Sequence, residues 1–539
     1  MTNDPNVTTT DPVGTTTDDT CATTTSDVAD GVGGAEGDGW ESLDRRTVVV
    51  TAILMSGVAI GAAVPTVAGI SSGTSMSVAL AWVVPAGLLV IAASAAADYL
   101  RWRKTRYRIG RERAELHSGI LLIRRRSLAR ERIRSVDLTA NPLLRIFGLV
   151  AVKIGTGEKT EAGESTLTLN PLTRHTGEQL RRELLIREPN GPSGQSGPSD
   201  PNPKEEGTLA RLDPAWIQYA PISFLVPALG LGAGGVVMQV AQWFNAQAAV
   251  VGWVGDRFEG VGLVPMILIL LAIAMIVGVI ASLALFVELW WNYRLDREHG
   301  TLRVTRGLTT TRSISIEERR LRGVDVVEPL GVRLAGAARV DAVATGMTQK
   351  KDDDKTDHKT LLPAAPKAIA DRLAADVLRE EVSPTEAARL IGHPRAAYGR
   401  RLRWAYGSAA AFIAVLLILG LWLTPVFLHL AWIAAVVLAP TAFLLARDAY
   451  RSLGHALSGD YLVARSGTVR RSTVALQRDG VIGWTIKQSV FQRRAGLLTL
   501  TATTAAGPGG YSVYDAAAGE GLLFAREAVP ELLEPFLRE

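Results

Sequence analysis

Residues 230–235 of this 539-residue chain read GLGAGG, which is the glycine spacing of a loop that cradles dinucleotide phosphates. That chemistry needs a strand before the loop, a helix start whose amides face the phosphates, and an acid about 20 positions later for the ribose. Here the glycines sit inside an apolar stretch, where small residues instead let membrane helices approach closely. The seven histidines (117, 175, 299, 358, 393, 429, 455) are scattered, and no H-E-x-x-H or other metal-ligand spacing occurs. His429 is read as a polar turn residue. Neither G-x-S-x-G nor G-x-x-x-x-G-K-[ST] is present, and Cys21, the single cysteine, excludes an internal disulfide or a cysteine-based zinc cage. The expectation is a non-enzymatic chain with no catalytic residues, no metal and no cofactor.

Arginine is the residue type with binding chemistry left to use. The run "RWRKTRYR" places Arg101, Arg103, Lys104 and Arg106 directly after an apolar stretch, and "RRR" (124–126), "RERIR" (130–134) and "RRLR" (400–403) add further cations. Such clusters follow from positive-inside topology alone, or they contact anionic headgroups, at about 1 kcal/mol per Lys or Arg near the surface. A second set is Arg145, Arg333 and Arg493, each three positions before a glycine. These three either contact a partner or headgroup or hold a loop carbonyl or acid within the chain. Nucleic acid is not an expected partner, because the clusters follow membrane-proximal segments and lack an interleaved aromatic face.

The elements that carry these residues begin with long uncharged stretches. Residues 47–97 contain no Asp, Glu, Lys or Arg, 214–287 contain charges only in "GDRFEG" (255–260), and 404–446 contain none. A helix needs about 20 apolar residues to cross a bilayer, so these stretches predict six spans in three hairpins, with turns at 71–77, 255–260 and 423–430. Lys and Arg cluster at the opposite ends, which predicts that both termini and the polar segments are cytoplasmic. Trp102, Trp290, Trp291 and Trp404 lie at helix ends, a position that suits the interface. Residues 1–39 carry eight acids and no Lys or Arg, which predicts a disordered Thr-rich tail and not a signal peptide.

The polar blocks repeat one plan. RIRSVDLTANPLLRIFG (132–148), RLRGVDVVEPLGVRLAG (320–336) and, more faintly, GVIGWTIKQSVFQRRAG (480–496) align without gaps. Gly119, Gly307 and Gly467 precede Val136, Val324 and Trp484 by 17 residues, and Gly148, Gly336 and Gly496 follow those by 12. Period-two runs at 107–129, 303–317 and 461–477 predict strands turning at the first glycine set, with later strands at 149–157, 338–346 and 497–507. Val136, Val324 and Trp484 are expected to face a core. Helical spacing then recurs at Leu180, Leu184 and Leu185, at Ile369, Leu373 and Val377, and at Val529, Leu532, Leu533, Phe536 and Leu537. Antiparallel strands closed by one C-terminal helix form an α+β unit of pleckstrin-homology-like shape.

The resulting organisation is a tail at 1–39, membrane hairpins at 40–98, 213–288 and 404–446, PH-like domains at 99–190, 289–382 and 447–539, and linkers at 191–212 and 383–403. The charged insert at 348–359 is expected to be a disordered loop. The order "YRI…SGILLIRR…IRSVDL…NPLLRIFGLVAVKIGTG", with "LDRR" (43–46) and "RLDP" (211–214) before hairpins, resembles bacterial PH-like membrane proteins of the YdbS/YdbT type. The resemblance spans nearly the whole chain beyond the tail, with unit three the most altered. It implies a PH-like fold and a membrane location, and no activity. The preferred reading is an inner-face platform for an unidentified protein partner, oriented by anionic lipids. The rival is a transport or export accessory with a substrate route among the helices, where Pro85, Pro227 and Pro265 would kink around a cavity.

Overall fold

The computed structural model describes residues 40–71, 73–110, 112–119, 123–133, 135–155, 166–185, 207–222, 225–244, 246–298, 300–346 and 359–533. The acidic segment 1–39, most of the 191–212 linker, residues 348–358 of the insert and the last six residues lie outside this set.

In the first unit β1 (Glu41–Ser42) leads into α1 (Thr47–Ser71) and α2 (Met76–Lys104), which pack against each other. β2 (Arg106–Ile109), β3 (Arg113–Ser118) and β4 (Arg124–Ala129) continue from β1 as one antiparallel sheet. The second half holds β5 (Ser135–Ala140), the single turn α3 (Pro142–Ile146), β6 (Leu149–Gly155), β7 (Thr166–Thr173) and α4 (Arg174–Leu185). Leu180 and Leu184 on α4 share one buried core with Leu116, Leu128, Val136, Val152 and Ile154, so both halves and the helix enclose the same apolar interior.

The second unit runs β8 (Gly207–Arg211), a 3-10 segment at Pro214–Ile222, α5 (Leu225–Trp243), α6 (Gln247–Arg257) and α7 (Leu263–Trp290). There follow β9 (Arg294–Glu298), β10 (Thr301–Arg306), β11 (Thr311–Glu317), β12 (Leu321–Pro329), α8 (Leu330–Leu334), β13 (Ala337–Ala344), β14 (Thr360–Pro366) and α9 (Lys367–Leu378). The third repeats it with α10 (Pro384–Ala387), α11 (Arg395–Trp422), α12 (Val426–Arg451), β15 (Gly454–Ser458), β16 (Tyr461–Ser466) and β17 (Arg470–Gln477). Its second half is β18 (Val481–Lys487), α13 (Val490–Arg494), β19 (Leu497–Thr504), β20 (Gly510–Ala517), α14 (Ala518–Ala528) and α15 (Pro530–Leu533).

Among the described residues α1, α2, α7, α11 and α12 are each long and apolar enough to cross a bilayer. The sixth candidate is bent: Pro214–Ile222 and α5 meet at 76°. The third of the expected spans therefore does not run unbroken from 214 to the turn at 255–260. Pro221 lies inside the 3-10 segment, α5 stops at Trp243, and the 11-residue α6 fills the connection to α7. At about 1.5 Å per residue α6 is too short to cross. Two linker expectations also change. Residues 207–211 form a strand, and α11 starts at Arg395, right after Pro394, so Arg400, Arg401 and Arg403 belong to the helix.

Several packing expectations are corrected as well. Ile369 is exposed, and Ala370, Leu373, Ala374 and Val377 form the inner face of α9. In the third unit the closing helix is α14, with Phe524, Ala525 and Ala528 buried. Pro530 prevents it from continuing through Val529 and Leu532 as one helix, since proline cannot donate the required amide bond. Trp290 is buried beneath the Arg306 guanidinium, 4.2 Å from its ring centroid, rather than turned to lipid. Trp102 donates its indole N–H to Leu43 O at 2.7 Å, tying α2 to the segment that leads into α1. Tyr450 does the same for His393 O in the third unit, at 2.8 Å.

The glycine sets that align the repeats have a backbone reason. Gly119, Gly307 and Gly467 have φ of 134°, 114° and 106°, and a Cβ on Gly307 or Gly467 would fall 2.0 Å from a carbonyl oxygen three residues on. L residues with side chains rarely adopt that conformation.

The sheets do not stop at the units. β5–β7 of unit one join β8–β11 of unit two in a seven-stranded sheet ordered β7-β6-β5-β11-β10-β9-β8. β12–β14 join β15–β17 in a six-stranded sheet ordered β14-β13-β12-β17-β16-β15. Trp40–Glu539 accordingly forms one compact unit. Strand-sharing between repeats was invisible in the sequence, because nothing in a period-two pattern says which chain segment pairs at an edge.

Candidate functional site

The two junctions are built alike. β5 meets β11 with Leu138, Thr139 and Ala140 opposite Ser313, Arg312 and Thr311. β12 meets β17 with Val326, Val327 and Glu328 opposite Thr473, Ser472 and Arg471. Shifted by the repeat spacing, 188 residues from unit one to two and 160 from two to three, these are the same three pairs. Each junction carries an ionic seam. At the first, the buried Arg181 on α4 reaches Glu298 at 3.2 Å, and Arg303 reaches Glu178 at 2.8 Å. At the second, the buried Glu328 accepts from Arg471 at 2.7 Å, while Asp341 lies within 3.6 Å of Arg470. Burial at this seam pushes the Asp325 carboxyl up to about 6, although Ser472 donates to it.

The structure places the three aligned arginines on this geometry. Arg145 on α3 donates to Leu308 O at 2.5 Å, in the β10–β11 turn of the next unit. Glu288, near the end of α7, accepts the backbone N–H of Thr309 and of Thr310 in that turn, each at 3.2 Å. Arg333 on α8 donates to Asp448 near the end of α12 at 2.7 Å. Both therefore reach from one unit to the turn or membrane helix of the next. Among the described residues no further unit lies beside Arg493 on α13; its side chain is exposed and makes no hydrogen bond or ion pair with them.

Among the described residues both ends of the row are open: β4 pairs only with β3, and β18 only with β19. At the third-unit end Ile482, Ile486, Val490 and Phe491 are 62%, 45%, 56% and 65% exposed, whereas Val326, which corresponds to Ile486, is 1% exposed.

The membrane-side cations Arg101, Arg103, Lys104 and Arg106 are exposed around the end of α2. Arg106 lines an open hollow of about 420 Å³ with Trp40, Glu41, Tyr107 and Thr176. Arg101 lines a smaller one of about 140 Å³ with Asp98, whose carboxylate accepts from Thr51 at 2.8 Å and Thr47 at 3.3 Å. These two hollows lie where the first unit meets its helices.

One cluster was missed in the sequence. His393 and His455, 62 residues apart, are both buried, with Nε2 of the first 3.1 Å from Nδ1 of the second. His393 Nδ1 lies 3.1 Å from Asp515 O. The Asp515 carboxylate, wholly buried, takes Arg400, Arg401 at 3.0 Å and Gln492 Nε2 at 2.9 Å. Desolvation, with His393 alongside, pushes His455 down to about 4, and desolvation also lowers His393. Both rings are thus neutral near pH 7; His455 packs edge-on against Phe524 and His393 against His455, so the cluster fastens the start of α11 to the third unit.

Comparison with known proteins agrees with this architecture. The family model described as "Bacterial PH domain" matches residues 56–187 and 409–527, that is, helix pair plus unit in the first and third copies. Over these two stretches the chain matches the bacterial PH domain family, and with its apolar helices it is similar to membrane proteins of the YdbS/YdbT type. It is 22% identical over 423 residues to the UPF0699 transmembrane protein YdbT of Bacillus subtilis (strain 168), covering 75% of this chain and 80% of that one. No solved structure matches it. The bacterial PH domain match reaches the third copy despite its altered "SVFQRRAG", where α13 keeps a capping box between Ser489 and Gln492.

Proposed function

We propose that this YdbS/YdbT-type protein is a non-enzymatic platform. Its six spans form three hairpins, and its termini and PH-like units face the cytoplasm. Protein partners would dock on the row, and anionic headgroups would orient it through Arg101, Arg103, Lys104 and Arg106. The observation that carries this reading is the sheet continuity. Three binding-type modules joined by shared sheets, each fastened to a helix pair, form a stiff surface held at the membrane. Neither family description assigns a catalytic activity. The transport reading is less well served. A Cβ on Gly230 would fall 1.9 Å from Ala274 O and one on Gly278 2.1 Å from Val226 O, so α5 and α7 pack backbone to backbone. That is the close glycine packing expected where two helices leave no route between them.

The test is affinity purification of the whole chain from gently solubilised membranes. One or a few other proteins recovered at comparable amounts, and lost when the PH-like units are disrupted, would support the platform. Repeated recovery of this chain alone would overturn it.

A further inference from the structure

Among the described residues the row of PH-like units presents an unpaired strand edge at each end, and the two edges match. β4 is the first-unit counterpart of β11 and β17, the strands that are offered to a preceding unit. β18 is the counterpart of β5 and β12, the strands that receive them. We propose that the β18 edge of one copy pairs antiparallel with the β4 edge of a second copy, repeating the internal junction between molecules. The register follows from the two junctions in hand: Lys487 opposite Arg124, Ile486 opposite Arg125 and Thr485 opposite Arg126.

Three observations single out a second copy as the occupant. The first is continuity, since the same contact is made twice inside the chain with one register. The second is what is left bare. A long, exposed, apolar edge strand invites pairing, and β18 shows Ile482 and Ile486 beside Val490 and Phe491 of α13. The Arg493 side chain lies beside them with no hydrogen bond or ion pair among the described residues, while Arg145 and Arg333 each hold the following unit. The third is the membrane. Each unit carries apolar helices, so the step from one unit to the next must keep all of them in one bilayer. A second copy placed by that same step has its own helices in the same membrane. The contact is head to tail, which generates rings if the rotation closes and rows if it does not.

Charge sets the strength of this contact. Lys487 would face Arg124, and like charges directly opposite one another weaken a strand pair. At the second internal junction the equivalent pair, Val327 and Ser472, carries no charge, and the neighbouring Arg471 meets Glu328. Association should therefore strengthen with salt, and Lys487→Glu should strengthen it further.

The experiment uses full-length chains in native membranes, with Cys21→Ser throughout. One chain with Arg124→Cys and one tag is co-expressed with another carrying Lys487→Cys and a different tag. Directly opposite strand residues lie within the Cα separation a disulfide spans, so mild oxidation should yield a product bearing both tags. Ile486→Lys on the second chain should abolish that product, and Lys487→Glu should raise native co-purification of differently tagged chains. A single chain with Val327→Cys and Ser472→Cys, facing residues of the internal junction, reports that folding and oxidation both succeeded. With that control positive, absence of the two-tag product overturns the proposal. Equal crosslinking between two Lys487→Cys chains overturns it too, because β18 would then be meeting itself. Because the readout is between copies of this chain, it stands apart from the search for other docked proteins.

Discussion

Arg333 and Asp448 form an ion pair at 2.7 Å that joins the second unit to the helix leading into the third. Both side chains are less than one-third exposed, at 12% and 29%, so the pair sits between the weak surface case and the buried one. The equivalent Arg145 bonds a turn carbonyl, and that turn is held in place by Glu288 on α7. In both cases a guanidinium carries the row from one unit to the turn or membrane helix of the next.

That arrangement makes the inter-unit coupling measurable. Arg333→Ala should lower stability by about 1.5–3 kcal/mol, the range for a hydrogen bond to a charged group. Asp448→Asn should lower it less, because the amide still accepts a bond. A double-mutant cycle, read by thermal unfolding in detergent, should return a coupling of roughly 1 kcal/mol. Strict additivity of the two substitutions would mean that the pair contributes nothing to the junction.

The hairpin glycines separate conformation from space. Gly467→Ala places a Cβ 2.0 Å from Arg470 O at φ 106°, while Gly300→Ala meets nothing within 4 Å at φ 71°. The first change combines a clash with strain and should cost at least about 2–3 kcal/mol, and the second about 1. The difference is read as the gap between their midpoints in denaturant unfolding of the purified chain. Equal midpoints would show that the turn relaxes freely.

These glycines also show why part of the fold was legible. A turn that only glycine fits leaves its mark at a fixed spacing, and Val136 and Val324 leave theirs by being wholly buried. The unit junctions leave no such mark. The pairing of Val327 with Ser472 depends on which edge a folded sheet presents, and those residues lie far apart in the chain. His393 and His455 were unreadable for the same reason: each is an isolated letter until α12 and β15 bring them together. Arg145, Arg333 and Arg493 could be picked out by their spacing, but which of them had a neighbour to hold could not.

The histidine pair gives the third unit a pH dependence with a definite sign. Folded His455 titrates near 4, against 6.5 in the unfolded chain. Above 6.5 both states are neutral and nothing changes. Below it the unfolded chain takes up the proton first, so stability is lost as pH falls from 6.5 towards 4. The loss approaches about 3 kcal/mol for a shift of that size. Proteolysis within residues 447–533 should therefore accelerate between pH 6.5 and 4.5, and His455→Phe should flatten that rise. An unchanged rate over this range in the native protein would remove the buried pair as its cause.

Asp325 predicts the opposite trend at the second junction. Its folded carboxyl titrates near 6, above the unfolded value of 3.8, chiefly because burial disfavours the charge. The folded state therefore holds the proton more tightly, and the associated stability is full below 3.8 and lost as pH rises through 6. Hydrogen exchange of the β12–β17 amides should slow, after correction for the intrinsic rate, when pH is lowered from 7 to 5. Asp325→Asn should make the junction independent of pH over that window, because the amide is neutral throughout and still accepts the Ser472 hydroxyl. The two effects occupy neighbouring stretches of the same sheet system, so acidification should tighten the contact between the second and third units while loosening the interior of the third. Parallel slowing or parallel acceleration of exchange in both regions would contradict the assignment of the titrating groups.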